Sequence, residues 1–190
     1  MDRESYKRVT EVISPFTSIH LVPKDILEAA GLRGTAVHKY IEGILDGWDF
    51  SVIPPNLLPY IDSWRLFWDS SKHAFEGKIT LEKRLYCDEH KITGQADVIV
   101  ETEDRTYIID WKTSSVPQKS WALQGAAYKH LAEVNGYKNV DSVLFVKLLK
   151  NGKTPSLHKH ENHEENLEIF FKCLDLYQWF EMSKTRKQWK

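Results

Sequence analysis

The stretch that most restricts the fold is KITGQADVIVETEDRTYIIDWK, residues 91–112. Two β-rich runs flank a short charged segment, and each carries an aspartate where an apolar side chain would pack better. Such runs specify a hairpin, and side chains alternate faces along a strand. Asp110 and Lys112 therefore share one face, while Tyr107, Ile109 and Trp111 share the other. A hairpin centred between Glu103 and Asp104 sets Asp97 directly opposite Asp110 and Gln95 opposite Lys112. Directly opposed residues lie roughly 4.5–5.5 Å apart at Cα. Facing carboxylates repel, and partial burial raises the cost unless they share a proton or hold a cation between them. A divalent metal is the economical reading. The alternative is a one-residue bulge, which would turn Asp97 to solvent and dissolve the pair.

Upstream, Val37, Ile41, Ile44 and Leu45 in PKDILEAAGLRGTAVHKYIEGIL (23–45) recur at helical spacing, with Gly34 and Thr35 marking the start. DGWDFSVIPPN reads as a loop and LLPYIDSWRLFWDSSKHAF as a second helix, so two helices precede any strand. ITLEKRLYC then joins the hairpin in a three-strand meander. KSWALQGAAYKHLAEV (119–134) is helical and stops near Asn135-Gly136. DSVLFVKLL is a strand, NGK a tight turn, TPSLHKH a candidate edge strand, and ENLEIFFKCLDLYQWFEM a closing amphipathic helix. This order specifies a mixed α/β sheet flanked by helices. At 190 residues and 42% hydrophobic content there is material for one core, hence one domain over 1–190, with 48–78 as a helical insertion before the sheet.

Composition narrows the function classes. No apolar run approaches the roughly 20 residues of a membrane helix, and MDRESYKRVT lacks a signal peptide's apolar core. A cytoplasmic protein with no membrane partner is expected. Cys87 and Cys173 lack CxxC spacing, so no zinc ribbon or iron-sulfur cluster is suggested and free structural thiols are expected. With 26 Lys plus Arg against 27 Asp plus Glu, a nucleic acid must be held by a local patch. Lys119, Lys129, Lys147 and Lys150 are candidates for that track, and the tail KTRKQWK is either a phosphate contact or a solvated helix end.

Four further polar residues fall at helical spacing. His38 and Glu42 lie four apart at the rim of an apolar helix face, where a side chain can look into a site between helix and sheet; the plainer alternative is a satisfied structural histidine. Gln124 and Tyr128 form a similar pair, whose plainer reading is mutual hydrogen bonding. Trp64, Phe67 and Trp68 read as core, or as base-stacking platforms if exposed near a site.

Taken in order, GTAVH, GQAD, DWK and QGAAY resemble the RecB-like exonuclease branch of the PD-(D/E)XK nuclease superfamily, which shows a helical His, a Gly-x-x-Asp, an Asp-x-Lys and a Gln-x-x-x-Tyr. The matching residues are His38, Gly94 to Asp97, Asp110 to Lys112, and Gln124 to Tyr128, spanning 34–128. Each motif is common alone; four in order on the expected elements are far more specific. Ala96 replaces the proline of the family name at a position that carries no chemistry. The lack of four cysteines argues against the iron-sulfur CRISPR-associated relatives, and the lack of helicase motifs implies a stand-alone domain or a subunit that borrows a motor.

The resemblance implies a restriction-endonuclease-like fold with an N-terminal helical elaboration. It also implies a divalent-metal-dependent deoxyribonuclease, an exonuclease on single-stranded or end-containing DNA in repair, recombination or replication, with a helicase or recombination partner. Asp97, Asp110 and Lys112 would be catalytic, and Asp97, Asp110, His38 and the Trp111 backbone carbonyl would hold the metal. Hard carboxylates with one imidazole suit Mg²⁺ or Mn²⁺. Lys112 would orient the attacking water or stabilise the pentacovalent phosphate, unless it only pairs with Asp110. Gln124 and Tyr128 would hold DNA or position the lysine. Glu82 is a candidate for a second metal or a metal-bound water, and Glu42 for a residue supporting His38. Two rivals stand beside this reading: a catalytically weak nuclease-fold DNA-binding subunit of a larger DNA-processing complex, and a structural α/β protein whose aspartates lie on opposite faces.

Overall fold

The β-rich runs assemble into one six-stranded mixed sheet. The structure, a computed structural model, describes residues 5–185, with side chains as far as Glu181. Its strands are β1 (Lys7–Arg8), β2 (Lys78–Cys87), β3 (Ile92–Glu101), β4 (Thr106–Lys112), β5 (Val140–Lys147) and β6 (Ser156–Lys159), and its α-helices α1 (Val9–Ile13), α2 (Lys24–Leu45), α3 (Leu58–Ser71), α4 (Ser120–Val134) and α5 (His163–Thr185). The basic tail KTRKQWK lies outside the described side chains.

β2, β3 and β4 form the expected antiparallel meander, α4 crosses over to β5 parallel to β4, and β6 closes the edge antiparallel to β5. Helices cover both faces. On one, α1, α4 and α5 bury Val9, Ile99, Ile108, Leu131, Phe145 and Phe170. On the other, α2 and α3 bury Val37, Ile41, Ile61, Trp64, Val98, Val100, Ile109 and Trp111. Burial on both faces explains why the central strands read as nearly unbroken apolar runs.

Two expectations are corrected. A strand does precede the helices, because β1 pairs parallel with the start of β3, Lys7 with Ile92 and Arg8 with Thr93; two residues carry no periodicity of their own. α2 starts at Lys24 after Pro23 rather than at Gly34, and runs through Gly31 and Gly34. Mid-helix glycine costs roughly 1 kcal/mol against alanine, a cost that good helix formers such as Leu27, Glu28, Ala29, Ala30, Leu32 and Arg33 around it can offset.

The strand pairing creates the feature on which the site depends. β2 occupies one edge of β3 from Ile92 to Glu101. The other edge is divided: β1 takes Ile92 and Thr93, and β4 takes Val98 to Glu101. β4 therefore parts from β3 just beyond the Val98–Ile109 pair, leaving a fork in the sheet. No bulge interrupts the hairpin ladder up to that point. The expected Gln95–Lys112 pairing does not form, since the β3–β4 ladder ends at Val98–Ile109 and the strands diverge before reaching them.

Candidate active site

Asp97 and Asp110 occupy the step where the fork opens. The hairpin register continued by one residue sets them opposite each other, as the sequence suggests, and both are buried, at 8% and 3% exposure. Asp97 Oδ2 accepts the Trp111 backbone N–H at 2.7 Å, so a side chain takes the place of the ladder bond that the diverging strands no longer make.

The alternation of β3 changes at Asp97. Ile92, Gly94 and Ala96 pack toward α4, yet beyond Asp97 it is Ile99 that does so, while Val98 and Val100 turn to the opposite layer. β2 changes at the same level: Leu85 and Cys87 belong to the α4 side and Leu81 to the other. The residue between is Glu82, which faces Asp97 in the register and has φ +47, a left-handed conformation that costs a non-glycine residue about 1–3 kcal/mol. Matched irregularities preserve the register while re-aiming both acids. Glu82 Oε2 accepts from the Gln95 amide, and burial followed by the Asp97 charge raises the Glu82 pKa.

α2 adds His38 beside the fully buried Val37 and Ile41. Its Nδ1 lies 3.2 Å from Asp97 Oδ1. Burial opposes the imidazolium, but the charge and hydrogen bond of Asp97, with Asp110 behind it, hold His38 at a pKa of about 9. One donor atom from each of His38, Glu82 and Asp97 falls within 4.8 Å of the others. Glu42, one turn beyond His38, adds a charge that helps to raise the Glu82 pKa.

α4 supplies the remaining wall and approaches closely because small residues permit it. A Cβ on Gly94 would meet the Tyr128 ring at 2.7 Å and Leu131 Cδ1 at 2.9 Å, and one on Gly125 would meet Phe145 at 3.1 Å. Gln124 then reaches both key groups, donating Nε2–H to Asp110 Oδ1 at 3.0 Å and accepting from Lys112 Nζ at 3.0 Å. The Tyr128 hydroxyl is held between Gln124 and the Gln95 backbone, and burial raises its pKa well above the usual range. Both side chains are buried and brace the fork from within.

The close partner of Asp110 Oδ2 is Lys112, whose Nζ pairs with it at 2.7 Å and, by charge and hydrogen bond, favours the ionised carboxylate. Burial raises the Asp110 pKa to about 6, against the pull of Lys112. A buried aspartate beside a second aspartate, a glutamate and an imidazole is a donor set that fits a hard divalent cation.

Residues 18–185 match the sequence model of the PD-(D/E)XK nuclease superfamily. The chain belongs to that superfamily. Among solved structures, this PD-(D/E)XK chain resembles a protein provisionally described as an exonuclease from Eubacterium rectale, at 13% identity and TM-score 0.60, covering 92% of this chain and 80% of the other. A weaker likeness, at 11% identity and TM-score 0.43 over 97% of this chain and 96% of the other, is to an alkaline exonuclease from Laribacter hongkongensis. No curated protein matches. PD-(D/E)XK nucleases use divalent metal ions, consistent with the donors at the fork. No helix among the described residues is long and apolar enough to cross a membrane.

Around this PD-(D/E)XK site the remaining candidates separate. Trp64 and Phe67 are core, packed edge-on to Trp111, and Trp68 stacks on Trp64. Lys129 does not line a track: it donates to the Val140 carbonyl and pairs with Glu133 at 3.0 Å. Lys119, Lys147 and Lys150 do line a groove of about 1200 Å³, together with Arg33, Phe16 and Ile26. The groove includes Thr113, the residue after Lys112, and so lies beside the carboxylates rather than over them. One contact and one backbone conformation had no local signal in the sequence. The Trp111 N–H latch depends on where β4 parts from β3, and the positive φ of Glu82 occurs at a residue type that rarely adopts it.

Proposed function

We propose that this PD-(D/E)XK chain is a divalent-metal-dependent deoxyribonuclease that hydrolyses phosphodiester bonds, acting as an exonuclease on single-stranded or end-containing DNA. The observation that supports it most is the acid cluster at the fork: buried Asp110, with Oδ1 held by Gln124 and Oδ2 paired with Lys112, beside Asp97, Glu82 and His38, whose donor atoms lie within 4.8 Å of one another. Asp97, Asp110, His38 and the Trp111 backbone carbonyl would hold Mg²⁺ or Mn²⁺, with Glu82 as a further carboxylate donor for the same or a second ion. The bound ion would neutralise charge on the scissile phosphate and acidify a water.

The protein's own residues have separate tasks. His38 must release its proton before it can ligate, because Asp97 favours the imidazolium. Gln124 positions both Asp110 and Lys112, so that the ammonium remains at the fork when the carboxylate turns to the cation. Lys112 then orients the attacking water or stabilises charge on the phosphate. The adjoining groove supports a single-strand or end preference, offering Arg33, Lys119, Lys147 and Lys150 to phosphates and apolar surface such as Phe16 and Ile26 to bases. Such a chain would serve DNA repair, recombination or replication beside a helicase or recombination partner. No expected ligand residue is missing, so a non-catalytic DNA-binding subunit is not favoured.

The test is incubation of end-labelled linear DNA, single- and double-stranded, with Mg²⁺ or Mn²⁺, and with circular DNA as control. Metal-dependent release of nucleotides from linear DNA is expected, reduced about 10²-fold or more in Asp110→Ala and Lys112→Ala. Equal activity in wild type and both variants would overturn the assignment.

A further inference from the structure

A second group of metal-binding side chains meets at the far end of β2. Cys87 ends that strand, His90 lies in the turn that leads to β3, and His130 is carried by α4. One donor atom from each lies within 4.8 Å of the other two. Cys87 Sγ is 3.7 Å from His130 Nε2. Zinc bonds of about 2.3 Å to sulfur and 2.0–2.1 Å to nitrogen, at a tetrahedral angle, place those two atoms roughly 3.6 Å apart. One edge of a zinc tetrahedron is therefore already at its working length.

The surroundings suit a bound ion. Cys87 is 3% exposed within the core under α4, and the Phe171 ring of α5 packs against both imidazoles, 4.3 Å from His90 and 5.6 Å from His130 between ring centres. One sulfur and two imidazole nitrogens select Zn²⁺ over Mg²⁺ or Mn²⁺, which take oxygen donors. The site is separate from the fork: Cys87 lies five positions along β2 from Glu82, roughly 17 Å of extended chain.

We propose that Cys87, His90 and His130 form a Zn²⁺ site, with water in the fourth position, that ties the β2–β3 turn to α4. Binding forms one Zn–S and two Zn–N bonds and sends the Cys87 thiol proton to solvent. The tie joins the strand that leads to Gly94 and Asp97 with the helix that carries Gln124, and stands independently of the nuclease reading.

The test is titration of the full chain, stripped of metal, with Co²⁺ and then Zn²⁺. One equivalent of Co²⁺ should give a thiolate-to-cobalt charge-transfer band with tetrahedral visible bands, removed by one equivalent of Zn²⁺. The band should survive in Asp97→Asn/Asp110→Asn and vanish in Cys87→Ser. In His90→Gln, at a partly exposed turn, affinity should fall about tenfold or more. Zn²⁺ should raise the Tm of the wild type more than that of His90→Gln at the same concentration. No charge-transfer band in the wild type would leave the 3.7 Å contact as a thiol–imidazole hydrogen bond and overturn the proposal. A band retained in Cys87→Ser, or lost in the fork variant, would also overturn it by moving the ion elsewhere.

Discussion

Asp110 carries a conflict between stability and chemistry that a single substitution can expose. Its folded pKa of about 6 lies above the ordinary 3.8, so its ionisation opposes folding. The cost is absent below about pH 4, grows through the interval, and is complete above about 6. Asp110→Asn should therefore raise the stability of the metal-free protein at neutral pH by about 1–2 kcal/mol, a gain that disappears near pH 4 in thermal melts, while nuclease activity is lost. His38 has the opposite relation to its charge. Held at about 9 by Asp97, it remains protonated at neutral pH, and a cation must displace that proton. Mn²⁺ affinity measured by calorimetry should rise about tenfold per pH unit between 7 and 9 and lose most of that slope in His38→Ala.

At the scale of elements, the fork works because α4 lies unusually close to β3. Gly94→Ala would place a methyl against the Tyr128 ring and Leu131, and Gly94 lies in a strand where neither neighbour can withdraw easily. A loss of about 1–3 kcal/mol in melts is expected, with a fall in cleavage rate as Gln124 is carried away from Asp110. Wild-type stability in that variant would show that the helix can shift freely. Long periodic segments such as α4 and β4 were legible in the sequence because many residues vote for one period. β1 was not, since two residues have no period, and the start of α2 was hidden by Gly31 and Gly34, which read as breakers although the residues around them favour a helix. The side changes at Glu82 and Asp97 were equally invisible, because an alternation pattern assumes an unbroken pleat.

Across the whole molecule, the two titrations at the fork act in one direction. The favourable contribution of protonated His38 is fully present below about 6.5 and is lost as pH rises through about 9, while the cost of ionised Asp110 sets in between about 4 and 6. Metal-free protein should therefore lose stability from pH 6 to 9. Added Mn²⁺ should reverse the trend, raising Tm more at pH 9 than at pH 6, because a ligand at 100 times its Kd adds about 2.7 kcal/mol. A Tm rise independent of pH would place the ion away from His38. Charge is also arranged at this scale: a chain of net −1 collects Arg33, Lys119, Lys147 and Lys150 along one groove, a local concentration that composition conceals.

The sequence by itself determined the hairpin and its opposed aspartates, because a period of two and a short turn decide which residues face each other. It also placed His38 and Gln124 on helices with the spacing to reach that pair. Only the tertiary structure decided that β4 leaves β3 at those aspartates, that Glu82 is turned toward Asp97, and that Cys87 meets His90 and His130. Those encounters depend on how close elements distant in the chain approach one another, which is set by packing across the whole core rather than by any local pattern.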